Sequence, residues 1–196
     1  MQDRREYIIR KSLEVYALKG FSNISITDLQ NALDIGRGTL YYYFSDQNEI
    51  LKTCIERYFL EPKQRALGKV PEDAGIERVI EAMMEYLHSL EEVLMTFEDR
   101  SINTSNVNNL MFNAYSLFPA LHRKAQRLAL KELELWRKAI YHDQRAELIR
   151  RDIDREQIAL MFTHVKDSYD SGLAQTQMDF SLLRKTYSEL HHLLKK

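Results

Sequence analysis

Between Ser25 and Phe44 the chain reads SITDLQNALDIGRGTLYYYF, and no other stretch gathers so many groups suited to one task. Arg37 offers a planar guanidinium, Thr39 a hydroxyl, and Tyr41, Tyr42 and Tyr43 three phenols. Gly38 leaves the backbone bare among them. A guanidinium fits guanine O6 and N7 bidentately, tyrosine rings touch thymine methyls, and phenol hydroxyls reach phosphates. Ser25 and Thr27, twelve residues earlier, can serve phosphate together with the N–H groups of a helix start. The chemistry is that of reading a nucleic-acid duplex rather than of making or breaking bonds.

Such groups need elements to hold them. Ser25 and Asp28 have the spacing of a capping box, and Ile26, Leu29 and Leu33 recur at helical spacing behind it. Asp34-Ile35-Gly36 interrupts the pattern, and Asp tolerates the left-handed backbone that such a turn requires. A second helix follows from about Arg37. On its wheel, at roughly 100° per residue, Leu40 and Phe44 face inward while Gly38 and Tyr42 face outward, with Thr39 and Tyr41 beside them. Three consecutive tyrosines span about 200° of one helix, so at least one is exposed. The result is a helix-turn-helix, a shape used both for the major groove and as a plain packing unit.

Composition bounds the alternatives. The 196 residues are 44% hydrophobic and 29% charged, with three prolines and six glycines, which favours an all-α protein with an ample core. No apolar run approaches the length of a membrane span, and MQDRREYIIRK has no signal-peptide core. The single cysteine, Cys54, fits a reducing compartment, and the expected location is the cytoplasm. Residues 1–60 carry eight Lys/Arg and eight Asp/Glu, so the motif sits in a locally neutral region. Phosphate neutralisation drives non-specific DNA affinity, so weak binding with a shallow salt dependence is expected. Enzyme readings find no support. Gly36-x-Gly38 lacks the third glycine and a preceding strand, and Tyr7-x-x-x-Lys11 has no nucleotide motif beside it. His191-His192, and His88 with Glu91 or Glu92, make no convincing metal set. No catalytic constellation, metal or cofactor is expected.

Along the chain, helices are expected at 4–19, ended by Gly20 with Phe21 folding back, and from an N-cap at Ser45 onward, kinked or ended by Pro62. Residues 68–75 read as a boundary, 74–98 as a helix, and Ser101–Asn109 as a polar loop leading to a short helix through Tyr115. Pro119 starts a long helix bearing Leu128, Trp136 and Ile140. Asp154, with Gln157 in the reciprocal position, caps a helix at about 155–175, and a last helix covers about 179–195.

Gly20-Phe21, Ser25-Ile26, Asp28-Leu29 and the run Ile35 to Phe44 resemble the N-terminal DNA-binding domain of TetR-family transcriptional regulators, closely over residues 5–60. The resemblance implies a three-helix helix-turn-helix DNA-binding domain, taken as 1–46, and a larger helical ligand-binding and dimerisation domain, 47–196. It implies contacts to double-stranded DNA from Ser25, Thr27, Arg37, Gly38, Thr39, Tyr41, Tyr42 and Tyr43. Gln47 occupies the place of a phosphate-binding lysine. Asp34 replaces a usual Gly, Gly36 a usual Ser or Thr, and Gln30 a usual Ala, so that the Gln30 side chain must find a way out.

The same resemblance implies a homodimer through the helices at 155–175 and 179–195, where Ser168, Ser171 and Gly172 permit close approach. It also implies a small-molecule effector, with no membrane partner. The residues taken as walls of its pocket are Met83, Met84, His88, Met111, Tyr115, Phe118 and Trp136, drawn from a pool that includes Met95, Phe112 and His164. The function expected is ligand-responsive repression at a palindromic operator. The alternative is a helical interaction module that has lost specific DNA binding.

Overall fold

Ile8, Ile9, Leu13 and Tyr16 recur at helical spacing, and all four are fully buried on one face of α1, Gln2–Lys19. The computed structural model describes residues 2–165 and 180–195 of the chain. Gly20 ends α1 at a φ of 79°, its N–H donating to the Tyr16 carbonyl, and Phe21 packs edge-on against the Tyr16 ring at 5.3 Å. Helices α2 (Ile26–Leu33), α3 (Arg37–Tyr43) and α4 (Gln47–Ile55) follow. A π-helical turn, Glu56–Leu60, leads into α5, Glu61–Gly68. Then come α6 (Ile76–Met95), α7 (Thr104–Leu117), α8 (Pro119–Arg145), α9 (Arg155–His164) and α10 (Phe180–Leu194). The fold is all-α; among the described residues the one β-type pairing is an isolated bridge between Ile149 and Lys195.

Several local expectations are corrected. Asp46, not Ser45, caps α4, its carboxylate accepting from Glu49 N at 2.8 Å. Ser45 instead donates its N–H and hydroxyl to Glu49 Oε2. Pro62 neither ends nor interrupts the helix. It sits in the first turn of α5, where a missing N–H costs least, and the wider π turn precedes it. The asparagine-rich segment is helix rather than loop from Thr104 onward, because Asn103 and Asn106 exchange side-chain and backbone bonds in a capping box built from two asparagines. Asp154 accepts from the N–H groups of Glu156 and Gln157, and the Gln157 side chain returns no bond. Gln30 does not find a way out: it is buried, and its Nε2 has no hydrogen-bond partner.

Two apolar cores form. The first joins α1 to α4 with Phe97, Ile102, Val107, Leu110 and Ala114, and with Leu121 and Leu128 from the front half of α8. The second joins α5, α6 and the rear half of α8 to Ile149, α9 and α10. In it Trp136 stacks on Phe162 at 4.6 Å and lies 5.9 Å from Tyr187. The long α8 thus belongs to both.

The end of α10 is docked where α6 begins and α8 ends. Arg150 N donates to Leu194 O, and the buried Asp143 caps α6 by accepting from Ile76 N at 3.0 Å. Gly75 leaves room for that carboxylate, since a Cβ there would collide with it. His191 is buried in this junction, facing Glu77 of α6 and Asp143 of α8 with His142 close by. His192 on its own helix and Lys195 just past the helix end adjoin it. Burial, then the Lys195 charge, lowers the His191 pKa, and Glu77 and Asp143 only partly oppose this. A histidine that protonates less readily folded than unfolded contributes stability above its unfolded pKa, near 6.5, that is lost as pH falls. The loss of unfolding free energy between about pH 7.5 and 5.5 is therefore expected to be smaller in His191→Gln than in the wild type, as measured by urea denaturation at the two pH values.

Candidate nucleic-acid interface

The two helices of the motif are joined as the residues demand. Ser25 Oγ accepts from Asp28 N at 3.1 Å, while Ser25 N and Oγ donate to Asp28 Oδ2 at 2.9 and 2.6 Å. These bonds, the hydroxyl's first, hold the Asp28 carboxyl below its usual pKa. Asp34 adopts the left-handed conformation at φ 51°, and the Asp34 and Ile35 N–H groups close the turn on the Asn31 and Gln30 carbonyls. Gly36 then opens α3 as an N-cap without a side-chain bond. Tyr7 of α1 donates to Leu33 O at 3.1 Å, pinning the end of α2 from behind.

Helix α3 divides as its wheel requires. Leu40 and Phe44 are buried in the first core, whereas Tyr42 is 67% exposed and Tyr41 42%. Tyr43 is half-buried and meets Tyr42 edge-on at 4.9 Å, so it steadies the exposed ring. Arg37 is exposed, but it does not project forward from the helix start: its guanidinium lies 5.5 Å from the Tyr41 ring centroid, one turn on. Such a contact is worth about 0.5–1 kcal/mol at an exposed site, so the arm is cheaply released. Thr39 is half-buried, and Thr27 is exposed at the start of α2. Gly38 has nothing within 4 Å of where a Cβ would stand and needs no unusual backbone angle. The fold does not require a glycine there.

Two expected contact residues are already engaged. The Ser25 hydroxyl is committed to Asp28, and the Gln47 amide donates to Ile24 O at 2.9 Å, tying α4 to the segment before α2. Asp28 lies within the motif and Asp46 and Glu49 just after it, and the bonds from Ser45 keep Glu49 below its usual pKa. Arg5 lies 5.0 Å from the Phe44 ring centroid, a basic group from α1 that the motif alone does not reveal.

The seven residues expected to line an effector pocket fall into separate places. Met83, Met84 and Trp136 belong to the second core, while Met111, Tyr115 and Phe118 pack against the first. His88 is exposed and pairs with Glu91 and Glu92 on the surface of α6. Met95 and Phe112 are exposed. Sequence reasoning passed over Glu132, four residues before Trp136, which is fully buried with Lys63 Nζ 2.6 Å from its carboxylate and Tyr86 beside the lysine. His164 lines a groove of about 540 Å³ on the outer face of α9 and α10 with Met161, Leu182 and Leu193. Met161, Leu182 and Leu193 are exposed. Ser168, Ser171 and Gly172 lie outside the described residues. No group of three or more metal-ligating side chains is present among the described residues, and no described helix is long and apolar enough to cross a membrane.

Residues 8–54 match the family model described as bacterial regulatory proteins, tetR family. An uncharacterized HTH-type transcriptional regulator of Bacillus subtilis, YerO, is 26% identical over 73 residues, which are 37% of this chain and 25% of that protein's length. Over its whole length the chain superposes on a TetR transcription regulator from Haloarcula marismortui, with a TM-score of 0.69 at 15% identity and 100% of both chains covered. It likewise superposes on a protein from Saccharomonospora viridis crystallised in complex with choline, with a TM-score of 0.64 at 16% identity and 100% of both chains covered.

The exposure pattern makes Gly38 and Tyr42 separable from stability. Gly38→Ala is expected to raise unfolding free energy by about 0.4–1 kcal/mol by restricting the unfolded chain, yet to weaken duplex binding by intruding at the surface. Tyr42→Ala is expected to weaken binding with the melting temperature nearly unchanged, whereas Leu40→Ala costs about 2–5 kcal/mol of stability. Thermal melts and fluorescence anisotropy on a bound duplex check all three.

Proposed function

Because this chain carries the N-terminal domain of the TetR family of bacterial regulatory proteins and folds throughout like that family's regulators, we propose that it is a ligand-responsive repressor binding a palindromic DNA operator as a homodimer. The observation that carries the reading is the solvent face of α3. Two exposed phenols, a loosely held guanidinium and a glycine that the fold does not require stand together on one short helix. A recognition helix in the major groove uses such a face, with Arg37 and the tyrosines toward bases and Thr27 and the α2 N-terminus toward phosphate.

The dimer is supported by the groove on α9 and α10, whose exposed Met161, Leu182 and Leu193 are the apolar surface a second copy would cover. A two-fold dimer presents two α3 helices to two half-sites. An effector site among the helices of the second domain is supported by the choline-bound neighbour. The occupied Ser25 and Gln47 groups favour the other reading, an interaction module without specific DNA binding.

Selection from random duplexes by the purified protein separates the two. An enriched palindrome, bound with a shallow salt slope, is expected; none at low salt would favour the interaction module. Leu193→Glu, at a side chain 71% exposed, is expected to leave the monomer folded and to abolish the dimer in sedimentation velocity.

A further inference from the structure

The outer faces of α6 and α8 carry opposite charge. Helix α6 has the carboxylates Glu77, Glu81, Glu85, Glu91 and Glu92 against a single cation, Arg78. The front of α8, residues 119–131, has Arg123, Lys124, Arg127 and Lys131 and no Asp or Glu. Lys124 is held by Glu56 at 3.2 Å. Arg123, Arg127, Lys131 and Lys138 stand exposed and pair with no carboxylate among the described residues.

The two faces also match in spacing. Glu77, Glu81, Glu85, His88 and Glu92 follow one another at intervals of 4, 4, 3 and 4 residues, and so do Arg123, Arg127, Lys131, Glu134 and Lys138. All ten side chains are exposed. At roughly 100° and 1.5 Å per residue, each set fills an arc of about 80° along about 22 Å of helix. Laid parallel, the four carboxylates of the α6 set meet the four cations of the α8 set. At the one place where the α8 set is acidic, Glu134, the α6 set offers His88.

We infer that α8 of one copy docks on α6 of a second copy of this chain, through a contact separate from the one across α9 and α10. The surfaces joined differ, so the contact is heterologous and leaves a free α6 face on one copy and a free α8 face on the other. Within one copy, Lys69 lies 2.8 Å from Glu85 and Arg78 3.1 Å from Glu81. Exposed pairs of this kind hold weakly and exchange readily, so they do not block the face. Leu130, 65% exposed, lies on the basic face and adds apolar surface to be covered. Helix α6 runs from the second core to the first, whereas α8 runs from the first to the second. A parallel pairing therefore inverts the second copy and sets its α3 at the opposite end. On the regulator reading, on which this consequence but not the contact rests, such a pair joins two duplex segments rather than adjacent sites on one.

Sedimentation velocity of the nuclease-treated full chain tests the contact. A larger species is expected at about 50 mM salt and is expected to disappear at about 500 mM, where charges are screened beyond roughly 4 Å. Arg127→Glu and Glu81→Arg are each expected to weaken this association about ten-fold or more, with unchanged melting temperatures because both sites are exposed. Carrying both changes in one chain is expected to restore it, since 81 and 127 face each other in the matched spacing. Arg127→Glu combined with Glu92→Arg is expected not to. Absence of a salt-sensitive species, or a double variant as weak as the single ones, would overturn the contact. So would a species that nuclease removes, which would make the basic face a nucleic-acid surface. The salt-sensitive step is expected to survive in Leu193→Glu; its loss there would assign it to the α9 and α10 surface instead. No duplex enters the measurement, so a chain that assembles this way but selects no palindrome would keep the contact and lose the regulator reading.

Discussion

The burial of α1 is the constraint on which the N-terminal half depends. Its apolar face, Ile8, Ile9, Leu13 and Tyr16, is completely removed from water. At about 1.5–3 kcal/mol for each large side chain, that burial outweighs every polar contact around the motif. The helices α2, α3, α4 and α7 contribute the other walls of the same core. The orientation of α3 is therefore set by packing on α1, reinforced by the Tyr7 bond to Leu33 O and the Gln47 bond to Ile24 O. Since α7 and the front of α8 share that core, α3 is packed continuously with the helices behind it.

The neutral charge of this region has a structural origin. Helix N-termini attract anions, and here the attraction is met internally: Asp28 serves α2 and Asp46 serves α4, with Glu49 closing back on Ser45. These three carboxylates that hold the motif together are among the eight that balance the eight Lys/Arg of residues 1–60. The carboxylates thereby give local rigidity, and the aromatic and guanidinium face of α3 is left exposed beside them.

Much of this was legible in the residues. The Ser25–Asp28 box, the left-handed Asp34, the Gly20 terminus and the division of α3 into Leu40 and Phe44 against Tyr41 and Tyr42 follow from local rules, and the structure has all of them. The misread elements share a cause. A box made of two asparagines carries the geometry of capping without its usual residue types. Pro62 looks like a stop unless a π turn ahead of it relieves the crowding. Nothing local announces that Tyr41 will hold the Arg37 guanidinium.

The sequence by itself determined most of the helices, where the turn of the motif falls and which of its side chains face water, because capping, periodicity and backbone preference act within a few residues. Only the tertiary structure decided that the Gln30 amide is buried, that Glu132 meets Lys63 inside the second core, and that Glu14 closes on the turn after α6. Those contacts join residues far apart in the chain. Which partner a polar side chain finds there depends on where packing brings the helices, and no local pattern encodes it.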